Sequence, residues 1–257
     1  MIAYIINMDS ATERWQSVET RFRETGIPFE RLPAVNGRNL SLPNPEFAER
    51  TYRIRHGKRP NMGQIGCYLS HISGLRRFLV SSHSFAMMVE DDIDPVSNLK
   101  LIVERAIQYS YTWDILRLSG FHNSHPRAYV DLGDGLGKKY SLAINFSRLC
   151  GTGTYLVSRH AAEVLVERLL PMSLPIDHAL DREWAYGLRA ASVHPLPVDQ
   201  ESLAFASQLR EEDKEKLPAF QRYWTVFPYR AKNEIQRVLS RAKQWRQATA
   251  SIDIHGK

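Results

Sequence analysis

Cysteine is scarce in this chain: Cys67 and Cys150 are the only two in 257 residues. They share no metal-ligand spacing, which excludes a disulfide framework and a thiolate zinc site and leaves two buried thiols in a reducing compartment. No apolar run approaches eighteen residues, so no segment is expected to cross a bilayer. The opening stretch, Met1-Ile-Ala-Tyr-Ile-Ile-Asn7, lacks a basic n-region and is too short for a signal peptide. The expected location is therefore the cytoplasm. Internal repeats and low-complexity tracts are absent. Acidic side chains are outnumbered, 28 against 34 Lys and Arg, for a net charge of +6 and a pI of about 9.3. That balance permits an anionic partner, whether lipid or phosphorylated substrate. No nucleic-acid motif accompanies it, and nucleic acid is not an expected partner. What the chain does have is a hydrophobic content of 43%, enough for a sizeable core.

The most informative stretch is Phe85-Ala-Met-Met-Val-Glu90-Asp91-Asp92. Its apolar part reads as a strand buried on both faces, too short for a helix and followed by Pro95. Such a strand delivers its terminal carboxylates to the carboxyl edge of a sheet, where open α/β sheets bind ligands. Carboxylates this close repel one another, and a hard cation such as Mg²⁺ or Mn²⁺ relieves that repulsion. A solvated acidic turn, or the carboxylate site of a phosphohydrolase or nuclease, would use the same residues.

Around this strand the pattern alternates. Strands are expected at Ile2 to Met8, Phe29 to Val35, Trp113 to Leu118, Tyr140 to Phe146, Thr154 to Val157 and Ser192 to Val198. Helices are expected from an Asp9 or Ser10 cap to Thr25, with Gly26 ending it, and over Gln64 to Val80, Leu99 to Tyr109, Arg159 to Leu169 and Asp177 to Leu188. Residues 36–62 read as a loop carrying a basic cluster, and Gly120 to Gly137 as a long functional loop. The alternation predicts an α/β fold, a sheet with covering helices.

Four segments then stand in a recognisable order. They are Tyr4-Ile5-Ile6-Asn7-Met8-Asp9 with Glu13-Arg14; Gly63-Gln64-Ile65-Gly66-Cys67-Tyr68-Leu69-Ser70-His71; Glu90-Asp91-Asp92; and Gly151-Thr152-Gly153-Thr154 with Pro175-Ile176-Asp177. In that order, across roughly residues 2–200, the chain resembles glycosyltransferase family 25, the lipooligosaccharide galactosyltransferases and their collagen-modifying relatives. The resemblance implies a GT-A-like, Rossmann-type mixed sheet flanked by helices. It also implies a metal-dependent inverting transfer, most often of galactose from UDP-galactose to a lipooligosaccharide or other lipid-linked glycan. A non-catalytic protein of the same fold, binding nucleotide sugar or glycan, is the alternative.

Within that frame Asp92 is the first choice as ligand of Mn²⁺ or Mg²⁺. Asp91 is a second metal ligand or, like Glu90, a donor contact, and His194 is a further metal candidate. Asn7, Met8 and Arg14 are expected at the base, ribose or diphosphate of the donor; a turn residue and a solvated helix position are their ordinary readings. Gly63 and Gly66 allow close backbone approach at a helix start, and Ser70 and His71 face the donor or, for His71, sit satisfied in the core. Inversion needs a base for the acceptor hydroxyl. Asp177 is the candidate, unless it is only a helix N-cap, and Asp181, one turn on, is its competitor. Three departures from the family pattern, Asn36 in the Ala34-Val35-Asn36-Gly37 turn, Gln64, and His178 where an aromatic residue is common after Asp177, bear on donor and acceptor identity.

The tail differs in character. Ile235, Val238, Leu239, Ala242 and Trp245 recur at helical spacing, with Arg230, Arg237, Arg241 and Lys243 mostly off that stripe. Residues 1–205 thus read as a catalytic domain and 206–257 as a helical extension. The extension is a basic amphipathic helix suited to an anionic membrane surface, the inner face of the cell membrane. A helix docked on its own domain with solvated arginines is the other reading. On the membrane reading, cutting the tail leaves catalysis on a soluble acceptor intact.

Overall fold

The computed structural model describes residues 1–59, 61–121, 125–135, 137–200 and 216–255. A central sheet of eight strands runs through it: β1 (Ile2–Asn7), β2 (Phe29–Pro33), β3 (Phe85–Glu90), β5 (Ile115–Arg117), β6 (Pro126–Gly135), β7 (Lys138–Asn145), β8 (Thr154–Ser158) and β9 (Ala190–His194). Their spatial order is β2-β1-β3-β8-β5-β9-β7-β6. β2, β1 and β3 are parallel, as are β5 and β9, while β8 lies antiparallel between β3 and β5. A separate ribbon pairs β4 (Ile93–Pro95) with β10 (Val198–Gln200). The helices are α1 (Thr12–Glu24), α2 (Glu49–His56), α3 (Met62–Leu79), α4 (Leu99–Ile107), α5 (Arg159–Arg168), α6 (Ile176–Leu180), α7 (Ala219–Trp224) and α8 (Val226–His255). This is the α/β architecture expected: a mixed Rossmann-type sheet between helical layers, with a C-terminal helix.

β3 shows why the sheet is central. Ala86 and Met88 point into one apolar cluster, with Tyr68, Ile72 and Leu75 of α3. Met87 and Val89 point into the other, with Val18 and Phe22 of α1 and Val103 of α4. Alternate side chains of one strand thus enter opposite layers, and a continuous apolar run results. At roughly 1.5–3 kcal/mol for each large apolar side chain buried, these two layers dominate the favourable side of folding.

Several elements differ from their sequence reading. The first helix has Ala11 at its N-cap and no side-chain cap, so neither Asp9 nor Ser10 holds it; Gly26 does follow its end in the left-handed region, at φ 68°. The stretch 36–62 contains α2, whose last turn carries Arg53, Arg55 and His56. Gly120 to Gly137 is not one long loop, because residues 126–135 form β6, paired with β7 through two register shifts that keep the pattern from reading as a clean alternation. The helix expected from Asp177 to Leu188 stops at Leu180, and Glu183–Tyr186 is a 3-10 turn. The late strand spans Ala190–His194, and Val198–Gln200 belongs to the small ribbon.

The tail is helical, with its faces reversed. Arg237 and Arg241, expected in water or on lipid, are 3% and 4% exposed and point into the domain. Ile235 and Leu239 of the apolar stripe are 63% and 65% exposed. The expected boundary at residue 205 lies outside the described residues.

Candidate active site

β1, β3 and β5 end at the same edge of the sheet, and the acidic triplet sits there because β3 ends in it. The three carboxylates diverge. Asp91 turns toward β1, where it accepts from Asn7 Nδ2 at 2.6 Å and pairs with Arg14 at 3.0 Å. Asn7 in turn accepts from Arg31 Nη2 at 2.6 Å, and Arg31 lies 4.9 Å from the Trp15 ring. Burial raises the pKa of Asp91, and the Asn7 hydrogen bond and the Arg14 charge oppose it. Asp91 is thereby committed to Asn7 and Arg14 rather than to a cation. Met8, half-buried beside this network, offers its carbonyl to Arg31 at 3.4 Å.

Glu90 and Asp92 face a common partner. Gln200 Nε2 donates to Glu90 Oε2 at 3.3 Å and to the two Asp92 oxygens at 3.2 and 3.3 Å. The β4–β10 ribbon sets this up, because Gln200 is in register with Ile93, one residue past Asp92. Glu90 is further held by the Thr152 hydroxyl and by His71 Nε2 at 3.3 Å. His71 is fully buried and meets Tyr155 Oη at 3.1 Å through Nδ1. Burial pushes Glu90 up, but His71, Thr152 and Arg117 outweigh it and hold the carboxylate ionised. Asp92 has Gln200 and its own backbone N–H, and burial with the Glu90 charge pushes it up to about 7. Two adjacent carboxylates, one ionised and one repelled, with the Gln200 Oε1 oxygen buried beside them without a partner, form a set of hard oxygens. Its chemistry fits Mg²⁺ or Mn²⁺.

Asp177 is the second residue of α6, whose N-cap is Pro175, so it does not occupy the N-cap position. Cys67 of α3 lies among the carboxylates: burial raises its thiol, and Glu90, Asp177, Asp92 and Asp91 raise it further. Arg117 at the end of β5 is buried, donates to the Gly151 carbonyl, and feels Asp181 and Asp177. Asp177 is therefore a half-buried carboxylate with no hydrogen-bond partner among the described residues, and like Glu90 and Asp92 it acts by its charge on the Cys67 thiol.

Six expected site residues are placed otherwise than expected. Asp181 is 4% exposed and ion-paired to Arg237 at 2.7 Å and Arg241 at 2.9 Å, which denies it the freedom of a base. His194 is exposed at the end of β9, paired across to Ser141, with no hydrogen bond or ion pair to the acids, so Gln200 takes the late-chain position expected of it. Ser70 Oγ donates to the Gly66 carbonyl at 2.7 Å and accepts from Val35 N at 2.8 Å, locking the 34–37 turn onto α3. Gly66 serves that same packing, since a Cβ there would meet the Val35 oxygen at 2.5 Å, and Gly63 lies against Gly37. His71 acts on Glu90 rather than facing the donor. Sequence reasoning missed Gln200, Arg31 and Arg117. It had Thr152 within a quoted motif but gave it no role.

The family model described as glycosyltransferase family 25 (LPS biosynthesis protein) matches residues 1–180. A "Glycosyltransferase 25 family member" of Drosophila pseudoobscura pseudoobscura is 32% identical over 95 residues, 35% of this chain and 15% of that protein. One of Aedes aegypti is 33% identical over 102 residues, 35% of this chain and 16% of that protein. The matched segment is thus a small part of these relatives' length. Among solved structures, a mutant Drosophila β1,4-galactosyltransferase 7 with manganese, UDP-Gal and xylobiose has a TM-score of 0.46 and 13% identity, over 86% of this chain and 78% of that one. The galactosyltransferase LgtC with donor and acceptor sugar analogues has a TM-score of 0.36 and 13% identity, over 87% and 99%. With one family model spanning well over half its length, the chain belongs to glycosyltransferase family 25.

Proposed function

We propose that this chain is a metal-dependent inverting glycosyltransferase acting on a nucleoside-diphosphate sugar. The observation that carries the reading is the pair Glu90 and Asp92 joined through Gln200, with Asp177, which has no hydrogen-bond partner among the described residues, near enough to act on the same Cys67 thiol as they do. Glu90 and Asp92 would hold a Mg²⁺ or Mn²⁺ ion, whose charge when bound would neutralise the diphosphate leaving group. Asn7, Asp91, Arg14 and Arg31 form the polar network that suits the nucleoside of the donor. Asp177 accepts the proton of an acceptor hydroxyl while that oxygen forms a bond to the anomeric carbon, and the bond from that carbon to the diphosphate oxygen breaks on the opposite side. The donor and acceptor the family implies are UDP-galactose and a lipid-linked or lipooligosaccharide-type glycan.

Incubation with a panel of UDP-sugars and Mn²⁺ should release UDP from one of them. Asp177→Asn should lower kcat by about 10²- to 10⁴-fold with UDP affinity nearly unchanged. Unchanged turnover in this variant would remove Asp177 from the reaction. UDP binding without turnover by any donor would favour a nucleotide-sugar-binding protein.

We also place the enzyme at an anionic membrane surface on the cytoplasmic side. The support is the outward face of α7 and α8, where Trp224, Phe227, Ile235, Val238 and Leu239 are exposed near Lys232, Lys243 and Arg246. Apolar side chains beside cations suit a lipid headgroup region, with each cation adding about 1 kcal/mol. Ile235→Ser with Leu239→Ser should cut co-sedimentation with vesicles containing phosphatidylserine by roughly tenfold. The fold should be unchanged, because both side chains already face out. Equal co-sedimentation of variant and parent would defeat the membrane assignment.

A further inference from the structure

Beside Asp177 opens a cleft between α2, α6 and α8, lined by Arg55, Arg148, His178, Arg182, Tyr229 and Arg230. Its inner end reaches the proposed base: Cys150 and His178 both line it, and their ligand atoms lie within 4.8 Å of each other and of Asp177. Among the described residues the charge of this cleft is only partly balanced: Asp181 lines it too, but is taken up by Arg237 and Arg241. Arg148 pairs with Glu234, and Arg237, at the cleft's edge, pairs with Asp181 and Glu234. The other three guanidiniums meet neutral groups. Arg55 donates to Ser173 Oγ at 2.7 Å, Arg182 to Asn233 Oδ1 at 2.8 Å, and Arg230 to the His56 carbonyl at 3.2 Å. Arg55 and Arg182 also lie over the Tyr229 ring, at 5.6 and 5.2 Å, so each is fixed in place. Burial lowers the pKa of Arg230, and the charges of Arg148 and Arg222 add to that.

Arg55, Arg182 and Arg230 come from three separate stretches of chain, each has donors left over and none is paired with a carboxylate among the described residues, which makes a site for an oxyanion. We propose that this cleft binds a phosphate or carboxylate group carried by the acceptor glycan, and so delivers the acceptor hydroxyl to Asp177. The inference rests on the reading of Asp177 as the base. It also makes the acceptor an acidic sugar rather than a neutral one. The diphosphate of the donor belongs at Glu90 and Asp92, whereas the cleft lies on the Cys150 and His178 side of Asp177.

Calorimetric titration of the full chain tests this, with and without saturating UDP and Mn²⁺, using glucose 6-phosphate, glucuronic acid and glucose as probes. At least one acidic sugar should bind ten or more times tighter than glucose, and which one does so tells phosphate from carboxylate. Arg182→Gln and Arg230→Gln should each weaken that binding about 10- to 100-fold, the scale of one charge-assisted contact, and leave UDP affinity unchanged. Arg230→Lys should retain more of it than Arg230→Gln, which separates loss of charge from loss of fold. Equal affinity for the acidic sugars and glucose overturns the proposal, as does unchanged binding in both Gln variants. Loss of UDP affinity in those variants also overturns it, because the arginines would then serve the donor. Failure of the parent to bind UDP with Mn²⁺ would strike the glycosyltransferase reading instead, while the titrations without UDP still decide the cleft.

Discussion

Asp92→Asn should lose transfer by about 10²-fold or more while the protein stays as stable as its parent. The two halves of this expectation come from one arrangement. Asp92 is held by Gln200 and by its own backbone N–H, and burial together with the Glu90 charge still pushes its pKa up to about 7. A carboxylate in that position is repelled by its surroundings, so replacing it with an amide of the same shape relieves repulsion at the cost of one of two long Gln200 contacts. The amide is a neutral and weaker oxygen ligand, and the loss expected matches removal of one electrostatic stabiliser of a transition state. Glu90→Gln should behave differently, because Glu90 is bound by His71, Thr152 and Gln200 and its loss unsettles a buried chain. Steady-state turnover with added Mn²⁺, read beside a urea unfolding curve, separates the variants. Full activity of Asp92→Asn, or of the parent in EDTA, would remove the metal from the reaction.

The parts of this site that were legible in the sequence were local. The acidic triplet announced itself because an apolar run must end where its carboxylates leave the sheet, and β3 does end at Glu90. The helix over Met62–Leu79 was legible because its buried face, with Ile65, Leu69, Ile72 and Leu75, repeats at helical spacing. What the three carboxylates do individually was not legible. Adjacent residues of a strand end face opposite ways, so Asp91 meets Asn7 and Arg14 while Glu90 and Asp92 meet Gln200. That partner comes from 108 residues further along the chain, through a three-residue ribbon too short to carry a periodic signal. Asp181 misled for a related reason. One turn after Asp177 it looks like a second carboxylate for the same hollow, yet the chain leaves the helix at Leu180 and turns Asp181 inward, against arginines more than fifty residues away.

Those arginines govern the second large expected effect: Arg241→Met should destabilise the protein by about 3–5 kcal/mol, a large share of the roughly 5–15 kcal/mol that holds a domain folded. Arg241 donates to Glu183 at 3.0 and 3.1 Å, to Asp181 Oδ1 at 2.9 Å, and to the carbonyls of Asn145 and Ser147 at 2.6 and 2.8 Å. Burial works against its charge, but Glu183 and Asp181 more than offset that and keep it protonated. Glu183 and Asp181 are themselves 1% and 4% exposed. With methionine in place of Arg241, Glu183 loses its only ion-pair partner among the described residues, and the carbonyls of Asn145, Ser147 and Asp181 lose a donor. A buried charge without its counter-charge costs far more than a good ion pair contributes. Arg241→Lys should recover part of the loss, since a point charge cannot reproduce the planar fork. Lys243→Met, on the exposed face, should shift the midpoint by less than about 0.5 kcal/mol. The same contacts reverse the expectation drawn from the tail's periodicity. Cutting the chain after Phe227 strips Asp181 and Glu183 of both arginines at once, so the shortened protein should unfold rather than keep activity on a soluble acceptor. Urea midpoints decide the matter: an Arg241→Met protein as stable as its parent would mean that α8 is an appendage and not a wall of the domain.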